Sequence, residues 1–401
     1  MNLPNYLTYK NNEIYIKNIN YKKLLSFGTP VDIIILDRIK DNINVLKNII
    51  KKEKSNLKIY YCLKACYLKK ILQTIKTYGD GVAVGSNLEL FISKNSNFSN
   101  DKIIFNGVGR TKEILMKVLY NKIRLILSSE TEFNNILDSK FKKINVGLRI
   151  SSKYLGKNLK INAKYSNIGL SLTEAEKIII KTKNTNININ GFSFHIFSNK
   201  TNLNDYYFAI NKLNNFIKQM IKKYNLKIEY VDFGGGFAPR ILFNSEKKLE
   251  DNFTKFVHLL NNLFDKNIEL ILELGRYIVS DSSMILSKIV TENNSWKFIN
   301  IGTNYLIPAL GYNFFIVPCE KNMKNLHKNI ISDTMGTIIS KYTGNKLHEK
   351  DNILVLNTGA YTNVMKEQFL FKDPIKIYIE NNKIIKIKKG ITEGEILKYH
   401  G

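Results

Sequence analysis

Eight short apolar segments, separated by amphipathic ones, dominate the central part of the chain, and this alternation restricts the fold more than any other feature. Apolar runs of strand length that alternate with helical patterns are typical of parallel βα units. Eight such units predict an α/β fold with a closed (β/α)8 barrel. The predicted strands are Ile59–Leu63, Gly81–Val84, Ile103–Phe105, Ile123–Leu127, Ile144–Ile150, Gly191–Phe197, Ile228–Phe233 and Leu270–Leu274.

The pattern changes after Arg276, where short strand-like segments follow one another without long helices between them. Five of them are predicted at 284–291, 296–301, 352–356, 375–380 and 383–388, with Asn381-Asn382 as a hairpin turn between the last two. The first residues look irregular up to a strand at Val31–Leu36. We therefore predict a barrel over residues 37–275 and a β domain, of the sandwich or barrel type, built from residues 1–36 and 276–401.

The strongly basic composition needs an explanation, since 61 Lys and Arg against 34 Asp and Glu give a net charge of +27. Such a charge often indicates nucleic acid or an anionic surface as a partner. Here the lysines are scattered along the whole chain, and aromatic residues do not alternate with arginines as they do in a stacking groove. We therefore do not predict nucleic acid as a partner, whereas the surface charge favours anionic substrates or an acidic partner.

The three cysteines, Cys62, Cys66 and Cys319, are too few for a disulfide framework. Cys62 and Cys66 have no second pair of ligands, so we predict no metal site. Cysteines left unpaired suit a reducing compartment, and we expect a cytoplasmic protein. The N-terminus shows no charged-then-apolar signal, and no apolar run reaches membrane-spanning length, so no membrane association is predicted.

Several polar residues follow the predicted barrel strands and therefore fall at one rim. The carboxyl ends of the strands carry the active site of such a barrel, often with a phosphate site after strands seven and eight. Lys64 follows strand one, His195 ends strand six, Gly234–Gly236 follow strand seven, and Glu273 and Arg276 end strand eight. A glycine turn exposes backbone N–H groups that suit a phosphate. A glycine run is usually just a tight turn and a single histidine is usually structural, so the prediction depends on their joint position.

Eight short motifs, in order along nearly the whole chain, resemble those of the fold-type III pyridoxal-phosphate decarboxylases. That family includes the diaminopimelate, ornithine and arginine decarboxylases. The resemblance implies an alanine-racemase-like barrel plus β domain, pyridoxal 5'-phosphate as cofactor, decarboxylation of an amino acid, and a homodimer with shared active sites. The motifs are Tyr60–Cys66, Ser86 with Glu89, Ile103–Gly109, Ser166–Gly169, Gly191–Ser198, Asp232–Phe237, Glu273–Arg276 and Gly359–Tyr361.

The resemblance also implies roles for individual residues. Lys64 corresponds to the lysine that binds the cofactor through its amine, and burial near other cations lowers the pKa of such an amine. Glu273 would keep the pyridine nitrogen protonated, and His195 would stack on the ring and belong to the catalytic set. The protein would thus supply orientation and electrostatics while the cofactor supplies the chemistry. The remaining predicted cofactor-binding residues, mainly for the phosphate, are Ser198, Gly235, Gly236, Gly275, Arg276 and Tyr361.

The chain departs from the family pattern around the predicted substrate. Ser332 stands where the family has the cysteine that returns a proton to the substrate carbon, and a hydroxyl is a far weaker acid than a thiol. Asp333, beside it, is the predicted substrate-binding residue. Gly336 and Ile307 replace a carboxylate and an arginine that bind distal groups of family substrates, and Ala83 replaces an acidic residue of strand two. The sequence therefore predicts an intact cofactor site and an altered substrate site.

Several interpretations of these departures stay open at the level of sequence, and the simplest is drift in a fast-evolving chain of biased composition. The substrate is either a diaminopimelate-like or ornithine-like amino acid, or a related biosynthetic intermediate, free or linked to a carrier. Another reaction on the same cofactor, such as racemisation, is the alternative enzyme. A non-catalytic regulatory homologue is the alternative from a different class. Because Lys64, His195 and Glu273 are all retained, we favour the enzyme.

Overall fold

The computed structural model of the chain describes residues 3–155, 167–243, 245–307, 314–321, 326–367 and 371–400. Ser166 of the predicted motifs lies outside these residues. The chain divides into two compact units, one of residues 41–278 and one of residues 1–40 with 279–401. The predicted boundaries, 37 and 275, lie close to this division.

Strands and helices are numbered along the chain. The strands are β1 Leu7–Lys10, β2 Glu13–Ile16, β3 Ile19–Asn20, β4 Val31–Ile35, β5 Leu57–Cys62, β6 Gly81–Val84, β7 Ile103–Phe105, β8 Arg124–Leu127, β9 Ile144–Ile150, β10 Ile187–Phe194, β11 Tyr230–Asp232, β12 Glu269–Leu274, β13 Ser283–Asn293, β14 Trp296–Ile299, β15 Phe315–Pro318, β16 His327–Ser332, β17 Ile338–Gly344, β18 Asn352–Leu356, β19 Ile375–Glu380 and β20 Lys383–Lys388.

The helices are α1 Tyr21–Leu25, α2 Leu36–Lys52, α3 Lys69–Tyr78, α4 Asn87–Asn95, α5 Lys112–Tyr120, α6 Glu130–Leu137, α7 Leu172–Thr182, α8 Asn204–Tyr224, α9 Glu246–Leu263, α10 Arg276–Val279, α11 Thr362–Met365 and α12 Glu393–His400. Within the described ranges, none of them has both the length and the apolar character that crossing a membrane requires.

The eight predicted barrel strands are confirmed as β5 to β12, which form a closed parallel barrel in the order β10-β11-β12-β5-β6-β7-β8-β9. Helices follow most strands, as expected of βα units.

A packed layer of side chains fills the barrel interior below its carboxyl-end rim. Its buried members are Tyr60, Ile104, Ile126, Tyr230 and Ile271. Two tyrosine rings fit there because neighbouring strands carry glycine: a Cβ on Gly81 would lie 2.4 Å from the Tyr60 ring, and one on Gly191 would lie 2.3 Å from the Tyr230 ring. Because side chains alternate along a strand, the residues two positions further on face the interior at the rim.

The second unit is built around a sheet in the order β17-β16-β14-β13-β4-β19-β20, with β18 paired to β13 and β15. The N-terminal strand β4 lies at its centre, antiparallel to β13 and parallel to β19. All five predicted C-terminal strands are present, and Asn381 and Asn382 form the hairpin turn with φ angles of 50° and 62°. β15, β16 and β17 were not predicted.

The prediction of an irregular start was wrong. Strands β1, β2 and β3 form a small antiparallel sheet, which α1 follows directly. These strands are only two to four residues long, too short to show an alternating pattern. Their turns are made by residues with positive φ, Asn11 with Asn12 and Lys17 with Asn18, of which the asparagines are the recognisable signal.

Candidate active site

A polar layer lies at the rim of the barrel interior, two residues beyond the packed layer on successive strands. Ser193 of β10 is in register with Arg149 of β9 and with Asp232 of β11. This layer contrasts with the apolar layer beneath it, so chemistry is confined to the rim. It consists of Cys62, Asn106, Ser128, Arg149, Ser193, Asp232 and Glu273, with Ala83 as its one apolar position.

Asn106 connects the charged members of this layer. Its Nδ2 lies 3.1 Å from the Ser193 Oγ, 3.3 Å from the Asp232 Oδ2 and 3.1 Å from the Glu273 Oε1. Its Oδ1 accepts a hydrogen bond of 3.2 Å from the Arg149 Nη1. One amide therefore joins a guanidinium on one side to two carboxyl groups on the other.

The two carboxyl groups differ in their exposure. Asp232 is completely buried, and it accepts hydrogen bonds from the Gly234 N–H at 2.8 Å and the Ser193 hydroxyl at 3.1 Å. Glu273 is only half-buried. Burial, followed by repulsion from Glu273, raises the pKa of Asp232 well above its usual range.

Arg149 brings a buried positive charge to the same layer. Burial lowers the pKa of its guanidinium, opposed by attraction to Glu273 and Asp232, but an arginine remains a cation in proteins. Its Nε is buried and has no hydrogen-bond partner among the described residues. The layer therefore contains one fixed cation whose fork is only partly used by the protein.

His195, in the turn after β10, is held as a neutral ring. Its Nδ1 accepts a 3.2 Å hydrogen bond from the Gly235 N–H, so the ring proton is placed on Nε2. Burial, then repulsion from Lys64 and Arg149, lowers the pKa of His195 to about 3. A neutral imidazole fixed in this way can lie against an aromatic ring without adding charge.

Lys64 lies in a 3-10 turn, Leu63–Ala65, directly after β5. Its side chain is exposed at the rim, and its charge reaches Glu89 and His195, since it contributes to the pKa shifts of both. Gly275 adjoins this turn: a Cβ on it would lie 3.0 Å from the Cβ of Ala65. The absence of a side chain at position 275 thus brings the lysine turn close to the end of β12.

The glycine turn after β11 fits against two neighbouring segments. A Cβ on Gly235 would lie 2.0 Å from the Glu273 carbonyl oxygen, and one on Gly236 would lie 1.9 Å from that of Phe197. Gly234 and Gly236 also have φ angles of 64° and 105°, which favour glycine. The turn is therefore close-packed backbone with no side chains at the rim.

The structure brings together, at one barrel rim, most of the residues that the sequence predicted for the cofactor: Lys64, His195, Ser198, Gly235, Gly236, Glu273, Gly275 and Arg276. Arg276 begins α10 and is buried, and Ser198 is half-buried in the loop after β10. Tyr361, Ser332 and Asp333 belong to the other unit. Tyr361 has a φ of 67° and precedes α11.

Ser332 and Asp333 are built into the end of β16. The Ser332 side chain is fully buried, and its hydroxyl lies 3.0 Å from the carbonyl oxygens of Asp333 and Thr337, so its proton is donated to the backbone. Asp333 accepts from both the N–H and the hydroxyl of Thr303 and from the N–H groups of Met335 and Thr337. These contacts stabilise a turn, and catalytic and substrate roles for the two residues stay predictions.

Sequence reasoning missed Arg149 as a site residue, and it placed Asn106, Ser193 and Asp232 only within motifs. Asn106 and Asp232 lie two residues beyond the interior positions Ile104 and Tyr230, so the alternation along the strands was a usable signal for them. Conversely, the motif residues Ser86 and Glu89 cap α4: the Ser86 Oγ accepts from the Glu89 N–H, and the Glu89 carboxylate accepts from the Gly85 N–H at 2.8 Å.

The sequence and the fold are similar to those of known proteins. The pyridoxal-dependent decarboxylases, through their pyridoxal-binding domain, match residues 36–280. A diaminopimelate decarboxylase from Aquifex aeolicus is 25% identical over an aligned length of 410 residues, and the alignment covers 96% of this chain and 94% of that protein.

Two solved structures show the same fold. A diaminopimelate decarboxylase from M. jannaschii in complex with L-lysine superposes with a TM-score of 0.85 at 23% identity, over 98% of this chain and 97% of that one. A lysine/ornithine decarboxylase from Vibrio vulnificus in complex with cadaverine gives a TM-score of 0.76 at 19% identity, over 90% and 97% of the two chains.

Proposed function

This chain belongs to the pyridoxal-dependent decarboxylase family and is an amino-acid decarboxylase, and we propose that Lys64, His195 and Glu273 hold pyridoxal 5'-phosphate at the barrel rim. The observation that carries the proposal is the polar layer itself, where Asn106 ties the Glu273 carboxylate to Arg149 beside the glycine turn. A structural role alone does not need a half-buried carboxylate, a neutral imidazole and an exposed amine at the same rim.

The residues present fit this cofactor. A pyridine nitrogen requires a carboxylate, a flat ring requires a neutral surface, an aldehyde requires an amine, and a phosphate requires bare backbone N–H groups and a cation. Glu273, His195 and Lys64 meet the first three needs. The close-packed turn Gly234–Gly236, in which any Cβ would meet backbone or His195 atoms within 3 Å, meets the fourth together with Arg276.

When bound, the cofactor provides an electron sink for the pair left behind by departing CO2. Glu273 would hold the proton of the ring nitrogen, with the direction of its carboxylate fixed by Asn106. His195 would lie against the ring without adding charge, because its pKa is lowered to about 3. Lys64 would anchor the cofactor through its amine.

We assign the phosphate to the loops after strands β10, β11 and β12, in keeping with the usual phosphate position in such barrels. The resemblance of Gly359–Tyr361 to a family motif adds Tyr361, a residue of the other unit. The proposed phosphate set is Ser198, Gly235, Gly236, Gly275, Arg276 and Tyr361.

For the substrate, we propose an α-amino acid with a polar distal group, with diaminopimelate as the first candidate. The support is the similarity to the Aquifex aeolicus enzyme over nearly the whole of both chains. Ile307 and Gly336, where the family has an arginine and a carboxylate, argue for distal contacts that differ from the relatives'. Diaminopimelate must therefore be compared directly with ornithine, lysine and arginine.

We also propose a homodimer with shared sites. Each unit carries exposed apolar residues that suit contact with a second copy. In the barrel these are Leu88 and Phe91 of α4, which are 59% and 64% exposed, and in the other unit they are Met335 and Ile338 around the β16–β17 turn. Exposed residues of this size in neighbouring positions are typical of interaction surfaces.

The test of the proposed function is CO2 release from the four amino acids with added pyridoxal 5'-phosphate. We expect release from at least one of them by the unaltered chain and none from Lys64→Ala. A matched control is Lys69→Ala, an exposed lysine at the start of α3, which should keep full activity. Equal turnover in Lys64→Ala and the unaltered chain would disprove the assignment.

A further inference from the structure

We propose that Asp232 carries a proton and, together with Asn106, positions Glu273 as the single negative charge of the polar layer. The proposal deepens the proposed function, on which the meaning of the Glu273 charge rests. Asp232 is thus a positioning residue that acts through Glu273. The Asp232 side chain itself is fully buried.

The first argument is the orientation of the Asn106 amide. Arg149 donates to its Oδ1 at 3.2 Å, and a guanidinium has no acceptor, so the amide oxygen must face Arg149. The amide nitrogen then faces Ser193, Asp232 and Glu273, at distances of 3.1 to 3.3 Å. Its two N–H groups are shared among three acceptors, one of which is left needing another donor.

The second argument is the position of the available protons. The Asp232 Oδ1 accepts from the Gly234 N–H, and its Oδ2 receives the Ser193 hydroxyl. Arg149, the buried cation of the layer, donates to the Asn106 Oδ1 and forms no ion pair with either carboxyl group. A proton held between the two carboxyl groups supplies the missing donor and removes the repulsion between two adjacent negative charges.

The third argument decides which carboxyl group keeps that proton. Asp232 is fully buried, whereas Glu273 is half-buried and open to the rim. Ionisation costs least where solvent is closest, so the charge belongs to Glu273. The direction of the Asp232 pKa agrees, since burial and then Glu273 raise it.

Charged and titratable groups around the pair come from several elements of the barrel. Arg149 of β9 and Lys64 after β5 are cations, and their attraction favours ionised carboxyl groups. Burial outweighs that attraction at Asp232, whose pKa is raised. The thiol of Cys62 is kept neutral, because burial raises its pKa to about 12. Below lies the phenol of Tyr230, whose pKa burial also raises. Glu89, His195 and Arg110 also interact electrostatically with Cys62, Lys64 and Arg149.

The consequence concerns the ring nitrogen that Glu273 is proposed to bind. One carboxylate balances the single positive charge of a protonated ring nitrogen, whereas a second carboxylate would add a negative charge that this nitrogen does not balance. A neutral acid at 232 also donates a hydrogen bond to Glu273, which Asn106 alone cannot orient completely. Asparagine has the shape and donor of the neutral acid, so it serves as the diagnostic substitution.

The first experiment is infrared spectroscopy of the cofactor-free protein near neutral pH. The unaltered chain should show the carbonyl stretch of a protonated carboxylic acid, above the amide I band, and Asp232→Asn should lose it. Glu89→Gln is the control, because Glu89 also has a raised pKa, and it should leave the band in place. No difference between the unaltered chain and Asp232→Asn would overturn the proposal. This result does not depend on whether the chain decarboxylates anything.

The second experiment identifies the charged member of the pair by cofactor affinity and turnover in three variants. Asp232→Asn should rescue much of what Asp232→Ala loses, staying within about tenfold of the unaltered chain, the effect of one altered hydrogen bond. Glu273→Gln should lower turnover by about a hundredfold or more, as expected for a lost electrostatic contact. The reverse order, with Glu273→Gln tolerated and Asp232→Asn as damaging as Asp232→Ala, would place the charge on Asp232 and overturn the assignment.

Discussion

At the scale of single residues, burial is the main cause of the shifted pKa values of His195 and Asp232 at the rim. His195 is neutral because its ring is desolvated and faces two cations, and Asp232 is raised in pKa because it is buried beside Glu273. Both shifts arise from the same feature, a polar layer packed on an apolar one. The function of each residue therefore depends on its depth in the barrel as much as on its chemical type.

This depth makes a prediction about stability and pH. The pKa of Asp232 is higher in the folded chain than in the unfolded one. At pH values above the unfolded pKa, the folded state therefore binds more protons than the unfolded state. Stability from this group is therefore fully present below the unfolded pKa, near 4, and is lost as pH rises toward the folded pKa. Asp232→Asn should remove that loss. Denaturant unfolding of the cofactor-free protein across pH should give a curve for Asp232→Asn that falls less with pH than that of the unaltered chain. A steeper fall in the variant would contradict the raised pKa.

The thiol of Cys62 offers a second prediction at this scale. Cys62 is half-buried, whereas Cys66 and Cys319 are buried, and the Cys62 pKa is raised to about 12. An alkylating reagent should modify Cys62 slowly at neutral pH and about tenfold faster per pH unit below that pKa, since the thiolate reacts. Bound cofactor should protect the thiol if it covers the rim. Peptide mapping of the modified protein measures this, with Cys62→Ser as the blank. Rapid modification at neutral pH, or equal rates with and without cofactor, would contradict the prediction.

The contacts of Ser332 predict that it contributes to stability, whether or not it also donates a proton to the substrate. Its hydroxyl donates to backbone carbonyls, so Ser332→Ala should destabilise the chain by about 1 kcal/mol, the usual value of one buried hydrogen bond. Unfolding in denaturant measures that cost, and turnover of Ser332→Ala and Ser332→Cys tests the proton-donor prediction separately. Unchanged stability with a large loss of turnover in Ser332→Ala would favour catalysis.

At the scale of elements, the turn after β11 shows how a run of glycines shapes the rim at the proposed phosphate site. Gly235 is pressed against the carbonyl of Glu273, and its N–H donates to His195, so the turn holds two site residues in place. A side chain there would separate β11 from β12 and displace both. The element thus acts as a spacer between strands as well as a candidate phosphate site.

Gly235→Ala should therefore damage the site severely, because its Cβ would lie 2.0 Å from backbone. Gly85→Ala is the matched control at the same rim, since its Cβ would lie 3.7 Å from the nearest atom. Cofactor affinity, measured by fluorescence titration, should fall strongly in Gly235→Ala and little in Gly85→Ala. Equal affinities in the two variants would show that the turn does not shape the site.

Sequence patterns predicted these elements unevenly, and the reasons are physical. The barrel strands are mostly buried and rich in apolar residues, so their runs stand out, and all eight were found. β16 and β17 were not, since β16 begins with exposed His327 and Lys328 and β17 mixes exposed and buried residues. The loop residues proposed for the cofactor came from motifs, whereas Arg149 is identified by the strand register, which the fold provides.

At the scale of the whole molecule, the proposed homodimer predicts complementation. The premise is that each site uses residues of both copies. A Lys64→Ala chain is mixed with a chain that is inactivated by a substitution in the β16–β17 turn. Random pairing should then restore about a quarter of the activity. Sedimentation establishes the oligomeric state, and activity of the mixture establishes sharing. A monomer at working concentration would contradict the homodimer.

The central claim is that the rim of this barrel binds pyridoxal 5'-phosphate on Lys64, and trapping measures it most directly. Borohydride reduction of the cofactor-loaded chain, followed by peptide mass mapping, should place one cofactor mass on the peptide that contains Lys64. Lys64→Ala should show no adduct, while Lys69→Ala should be labelled fully. An adduct on another lysine, or the same labelling in Lys64→Ala, would contradict the account.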